Sequence, residues 1–150
     1  MFERYDWYIG GPMRGYPDLN YPLFNMVAKK LTNMSYSVFN PAEYDGGITL
    51  GQDKGVFAFC MRRDLNAVIN ECKGIILLPE WEKSLGANIE AFVAFACGKT
   101  TVMTDNLSIN NDEVNFDIVS IDLTNYSLPY LKEGGRQFNP HECSLDSFGG

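Results

Sequence analysis

The chain has 150 residues, 45% of them hydrophobic, with 12 basic against 19 acidic side chains and a formal net charge of −7. That length fits one domain around one core and excludes a chain of several large domains. The acidic balance speaks against a broad nucleic-acid surface, which needs many basic groups to displace counterions from phosphates, but leaves room for a small anion in one local pocket.

Asp6 to Gly10 is a short apolar run stopped by Gly-Gly-Pro, the pattern of a strand ending in a loop. After PMRGYPDLNYP, Pro22 suits the start of a helix whose residues Phe24, Val27, Ala28 and Leu31 repeat at i, i+3, i+4, i+7 and form one buried face. Tyr36 to Asn40 reads as a second strand broken by Pro41, followed by the long glycine-rich loop AEYDGGITLGQDKG. Met61, Leu65, Val68, Ile69 and Cys72 mark the apolar face of a second helix, and Gly74 to Leu78 a strand buried on both sides of a parallel sheet. A third helix follows and ends at Gly98, a C-cap position with Lys99 beyond it. Thr100 to Thr104 gives a fourth strand and Phe116 to Ile121 a fifth. The tail from Gly134 to Gly150 shows no clear periodicity and is expected to be irregular, to form a short strand or to dock on a partner subunit.

Alternating strands and helices predict an α/β, three-layer sandwich, a Rossmann-like or flavodoxin-type parallel sheet of about five strands in a single domain. Ligands in such sheets bind beyond the carboxyl ends of the strands, near the point where strand order reverses. That rule gathers the loop after strand one, the loop after strand two from Asn40 onward, and the loop after strand three from Pro79 to Ser84.

No segment has the length of a membrane span. The first residues, MFERYDWYIGG, lack the basic region, long apolar run and cleavage site of a signal peptide. Cys60, Cys72, Cys97 and Cys143 show no C-x-x-C spacing, and three of them fall in predicted helices. A zinc site or disulfide framework is not expected, and a reducing cytoplasm is the default. His141, the only histidine, lies in the tail, which discounts histidine-based nucleophilic or metal chemistry. No cofactor is expected.

Glu90 is the only charged residue between Ser84 and Gly98. A helix that is apolar on most of its circumference is buried, and a carboxylate within it must be paired, protonated or used on a ligand. The plain alternative is a structural carboxylate bonded to a neighbouring loop. Ser84 is placed to cap this helix, and its N-terminus is a local anion site where Ser84, Gly86 and Ala87 can share a phosphate with Arg14. Glu90 lies one turn beyond Gly86 on the same face. The Gly10-Gly11-Pro12-Met13-Arg14-Gly15 loop lets a ligand approach the backbone, yet it matches neither a dinucleotide fingerprint nor a Walker loop. Asp64, beside Arg63, reads by default as a surface carboxylate in a weak ion pair. Tyr8 by pattern is a core residue, and Trp81 either walls a pocket or caps the sheet.

Together, Tyr8 to Gly15, Phe39 to Glu43, Arg63-Asp64-Leu65 and Leu77 to Ala87 followed by Glu90 resemble the nucleoside 2-deoxyribosyltransferase superfamily, closest to its small phage or bacterial branch and similar to the 2′-deoxynucleoside 5′-phosphate N-hydrolases. The likeness runs from about Asp6 to Thr104. It implies a flavodoxin-type sandwich assembled as a homodimer or larger, acting on a small nucleoside or nucleotide and not on a nucleic-acid polymer or a membrane. By that likeness Glu90 matches the nucleophile, Asp64 the carboxylate near the leaving base and Tyr8 the residue orienting the nucleophile. Gly11, Arg14, Gly15, Ser84 and Gly86 match positions that hold a 5′-phosphate, while Gly10, Met13, Asn40, Trp81 and Ala87 complete the expected binding surface. Lys73, where relatives commonly carry Asp, and Glu80, where many carry Gly, depart from the pattern. The expected reaction is cleavage or transfer of the N-glycosidic bond of a 2′-deoxynucleoside or its 5′-monophosphate. The alternative is a nucleotide-binding module without catalysis.

Overall fold

The computed structural model describes residues 3–45 and 54–124. Five strands, β1 (Tyr5–Gly10), β2 (Val38–Phe39), β3 (Cys72–Leu77), β4 (Thr100–Asn110) and β5 (Glu113–Ser120), form one sheet in the order β2-β1-β3-β4-β5. The first four run parallel, and β5 pairs antiparallel to β4. Helices α1 (Tyr21–Asn33), α2 (Pro41–Tyr44), α3 (Lys54–Asn66) and α4 (Leu85–Ala96) connect them. Strand order reverses between β1 and β3: the chain leaves β1 for β2 on one side and returns for β3 on the other. With right-handed crossovers this puts α1 on one face and α3 and α4 on the opposite face.

Alternation along the central strands separates the two cores. Tyr8, Ile75 and Leu77 join Ala87, Ala91 and Phe92 of α4. Their neighbours Ile9, Ile76 and Leu78 point the other way and join Phe24, Val27, Ala28 and Leu31, the predicted face of α1. Both faces of the sheet are covered, which is why β3 is apolar almost throughout. The α/β three-layer arrangement therefore holds.

Four details differ from the sequence reading. The second helix does not continue to Cys72. It gives way after Asn66 to a π-helical turn over Ala67–Glu71, and Cys72 opens β3 with extended backbone (φ −116°, ψ 142°). The wider turn changes the facing of the residues that follow, so Val68 is buried while Ile69 is 41% exposed. The second strand is only Val38–Phe39, because Pro41 starts α2 directly, with Asn40 as its cap. The expected glycine-rich loop thus begins as a helical turn, and its residues 46–53 lie outside the described residues, as does the tail from Gly134. Lastly, the fifth strand begins at Glu113, not Phe116, and runs antiparallel. Asn111 and Asp112 both take positive φ (49° and 64°), the geometry of a two-residue hairpin turn. No helix among the described residues is long and apolar enough to cross a membrane.

Candidate functional site

Helix α4 starts where the sequence places it. Ser84 is its N-cap, and its hydroxyl accepts from the Ala87 amide at 3.2 Å. At the other end Gly98 takes φ +73°; its amide donates to the Phe95 carbonyl and that of Lys99 to the Ala94 carbonyl, a Schellman ending. Asn88, fully buried, donates to the carbonyls of Trp81, Glu82 and Ser84 and ties the preceding loop to the helix. These bonds fix Glu90 over the carboxyl end of β1.

The Glu90 carboxylate is only 6% exposed, and the Tyr8 hydroxyl donates to its Oε2 at 2.6 Å. A Cβ on Gly10 would crowd Leu77 Cδ2 at 3.1 Å and Ile75 Cδ1 at 3.3 Å, while Glu90 Oε1, at 3.7 Å, would be in ordinary contact. Glu90 is not sealed in. It lines a cleft of about 710 Å³ beyond the carboxyl ends of β1 and β3, at the reversal of strand order. Burial first, and then the charge of Asp64, push its pKa well above the usual carboxylate range, against the Tyr8 hydrogen bond and Arg63.

Asp64, in the last turn of α3, lines the same cleft. It is paired with Arg63, whose Nε donates to Asp64 Oδ1 at 2.7 Å, but at 7% exposure it is not the solvated ion pair expected from sequence. Burial raises its pKa, with the Arg63 hydrogen bond and charge opposing. A phenol has one proton to give, and Tyr8 gives it to Glu90. Burial and the charges of Glu90 and Asp64 push its own pKa well up, keeping it a neutral donor.

Asp45, only 3% exposed, was not anticipated. Arg63 Nη2 donates to Asp45 Oδ1 at 2.6 Å, so one guanidinium holds two buried carboxylates. Burial works against the Arg63 cation, and the hydrogen bonds and charges of Asp64 and Asp45 more than offset it, so its pKa is raised. An aromatic column backs the set: Tyr8 stacks on Phe39 (5.6 Å), Phe39 on Tyr44 (4.7 Å), and the Arg63 guanidinium sits 5.9 Å from the Tyr44 ring centroid. The sequence signal for Asp45 was its position in the loop after the second strand, on the rim where ligands bind.

At the opposite end the cleft is bordered by Gly11, Met13, Arg14, Lys83, Ser84, Gly86 and Ala87. Arg14 lies over the Phe57 ring, 5.4 Å from its centroid. The amides of Leu85 and Gly86, in the first turn of α4, have no carbonyl partner within the helix. Gly11 is held against Leu78. Glu80 pairs with Lys83 in the loop after β3. Its backbone takes φ 66°, a conformation glycine adopts more readily.

The remaining expected residues fall elsewhere. Asn40 is buried, caps α2 through the Ala42 amide and donates to Asn25 Oδ1. Trp81 is buried and borders a separate groove of about 750 Å³ between the α1 and β4 sides. Gly15 takes φ +85° and does not border the cleft. Lys73 is 63% exposed and pairs with Asp6 at 3.4 Å, away from the cleft. Among the described residues no group of three or more His, Cys, Asp or Glu is placed to hold a metal ion.

A protein family described as a domain of unknown function, DUF4406, matches residues 5–103. The chain belongs to that family. The DUF4406 segment contains β1 to β3, all four helices and every side chain of the cleft described above, and it ends within β4. No curated protein matches the chain.

Proposed function

We propose that this DUF4406 protein cleaves the N-glycosidic bond of a 2′-deoxynucleoside 5′-monophosphate, with Glu90 as nucleophile. The observation that carries the reading is a buried glutamate, held by a phenol, on the wall of an open cleft that has a second carboxylate in it. The resemblance to nucleoside 2-deoxyribosyltransferases supports the same roles for Glu90, Asp64 and Tyr8.

The phosphate is received by Arg14 and the first-turn amides of α4, where the helix end favours an anion. The sugar then lies over Gly86 and Ala87, with C1′ toward Glu90. As the C1′–N bond breaks, its electron pair goes to the base nitrogen, which takes the proton held by Asp64. One Glu90 oxygen bonds to C1′ and relieves the positive charge on the sugar, as in retaining glycosidases. Water, or a second base, then attacks C1′, gives its proton back to Asp64 and releases Glu90. Tyr8 keeps the nucleophile aimed. The step needs Glu90 ionised and Asp64 carrying a proton; burial and mutual charge raise the pKa of both, which favours one proton held between the pair.

A second reading, a nucleotide-binding module without catalysis, draws support from the Arg63 bond to Asp64, which opposes protonation of that acid. The two are separated by incubating the protein with each 2′-deoxynucleoside monophosphate and following free base by chromatography. The enzyme reading expects release that Glu90→Ala abolishes while ligand binding persists. Binding without release on every nucleotide leaves the second reading.

We also propose a reducing cytoplasmic setting, consistent with Cys60, Cys72 and Cys97 being free thiols, and a homo-oligomer, on the strength of the resemblance alone. Sedimentation tests the latter.

A further inference from the structure

We propose that Asp45 and Asp64, gripped together by Arg63, make the inner end of the cleft selective for a nucleobase bearing an exocyclic amino group. The inference rests on the nucleotide reading above and names the class of base.

The cleft has two unlike ends. Arg14 and the start of α4 offer cations and N–H donors at one. Asp45 and Asp64 line the other, and Arg63 does not border the cleft. The guanidinium therefore stands behind the carboxylates: it binds Oδ1 of each, through Nη2 and Nε. A ligand reaching this end meets acceptors and not the cation that neutralises them.

That surface discriminates by hydrogen-bond polarity. An ionised carboxylate only accepts. An exocyclic amino group carries two N–H bonds and can serve two acceptors at once, as the cytosine and adenine amino groups serve carboxylate and amide acceptors in duplex readout. Thymine and uracil turn two carbonyl oxygens toward any partner of their N3–H. Those oxygens would lie against the Asp45 carboxylate, where the Cys60 thiol is only a weak donor, and a buried acceptor left unpaired is penalised more than a formed bond is rewarded. A site built on specific polar pairing rejects a ligand lacking the partner more strongly than an apolar pocket rejects a change of shape.

Both Asp45 and Asp64 are more than nine-tenths buried, so solvent does not dilute the effect as it does for surface charges. The Tyr44 ring under Arg63 and the short α2 preceding Asp45 hold the pair in place.

The test measures affinity separately from turnover. Calorimetric titration of the Glu90→Gln protein with dAMP, dCMP, dGMP and dTMP is expected to give the amino-bearing nucleotides at least about tenfold tighter binding than dTMP. In the Asp45→Asn, Glu90→Gln double variant, Asn keeps an oxygen for Arg63 and presents an amide donor inward, so the gap should narrow or reverse in favour of dTMP. Equal or tighter binding of dTMP by Glu90→Gln overturns the inference, as does absence of binding by all four. A gap that survives Asp45→Asn overturns it too. Should the double variant fail to fold, the four affinities of Glu90→Gln decide alone. Discrimination in binding without base release by the unaltered protein would sink the proposed reaction and leave this inference standing; release from all four nucleotides with equal affinities would do the reverse.

Discussion

A Cβ built on Gly11 would lie 2.9 Å from Leu78 Cβ and 3.1 Å from its Cγ and Cδ1. The loop after β1 is therefore pressed onto the end of β3 across the point where strand order reverses. Gly11→Ala should destabilise the protein by about 1–3 kcal/mol through overpacking, because Leu78 is fully buried and has nowhere to move. Chemical denaturation of the two proteins reads the difference, and an unchanged midpoint would show that the loop can shift.

Gly86 makes the opposite case. The nearest atom to a Cβ there is Met61 Sδ at 3.7 Å, an ordinary contact. Gly86→Ala in the first turn of α4 should leave stability unchanged or raise it by up to about 1 kcal/mol, since alanine favours the helix. The added methyl enters the cleft, so nucleotide binding should weaken at the same time. Thermal unfolding with and without ligand separates the two effects; tighter binding by the variant would remove Gly86 from the ligand's path.

Arg63 compensates two buried acids. Replacing it by Met, which keeps much of the aliphatic volume, strands both carboxylates and should cost about 3–5 kcal/mol near neutral pH. The loss should shrink on acidification, as Asp64 takes up a proton. A penalty that stays constant with pH would mean that packing on Tyr44, not charge, is what Arg63 supplies.

The raised pKa of Glu90 fixes the sign of a pH effect. Its folded value lies above its ordinary value of 4.5. Below that ordinary value the group is protonated in both states and its contribution is intact. As pH rises the unfolded chain ionises freely while the folded chain resists, so stability falls, by at most about 1.4 kcal/mol per pH unit for one group. Asp64 adds to the same trend from its ordinary value of 3.8. Glu90→Gln should flatten the fall that begins above the ordinary value of 4.5 and should be the more stable protein once the unfolded chain has ionised. Parallel stability curves for the two proteins would mean Glu90 ionises at an unshifted pKa.

What the sequence disclosed and what it withheld follow from how local each signal is. The buried face of α1, the Ser84 cap and the Gly98 ending are set within one or two turns of chain, and all stand where the pattern places them. Glu90 stood out because nothing else charged lies near it in sequence. Its bond to Tyr8, by contrast, joins distant segments, and pattern alone made Tyr8 a core residue. Asp64 looked like a surface acid because Arg62 and Arg63 precede it; its burial, at 7% exposure, is a tertiary effect that no local pattern carries. Ile69 and Cys72 were misplaced because a π-helical turn shifts the periodicity without changing composition. The antiparallel β5 did have a local sign, Asn111-Asp112 between apolar runs, which the expectation of repeated crossovers obscured.

The last strand also bears on how this architecture tolerates change. Family similarity stops at residue 103, partway along β4, while the ladder with β5 runs from Val102 to Asn110. The ribbon that shields the outer margin of the sheet thus lies largely beyond the segment the family shares. Truncation just before Glu113 would bare a row of main-chain donors and acceptors along β4, inviting other chains to stack there, so a shortened version should precipitate even with its cleft intact.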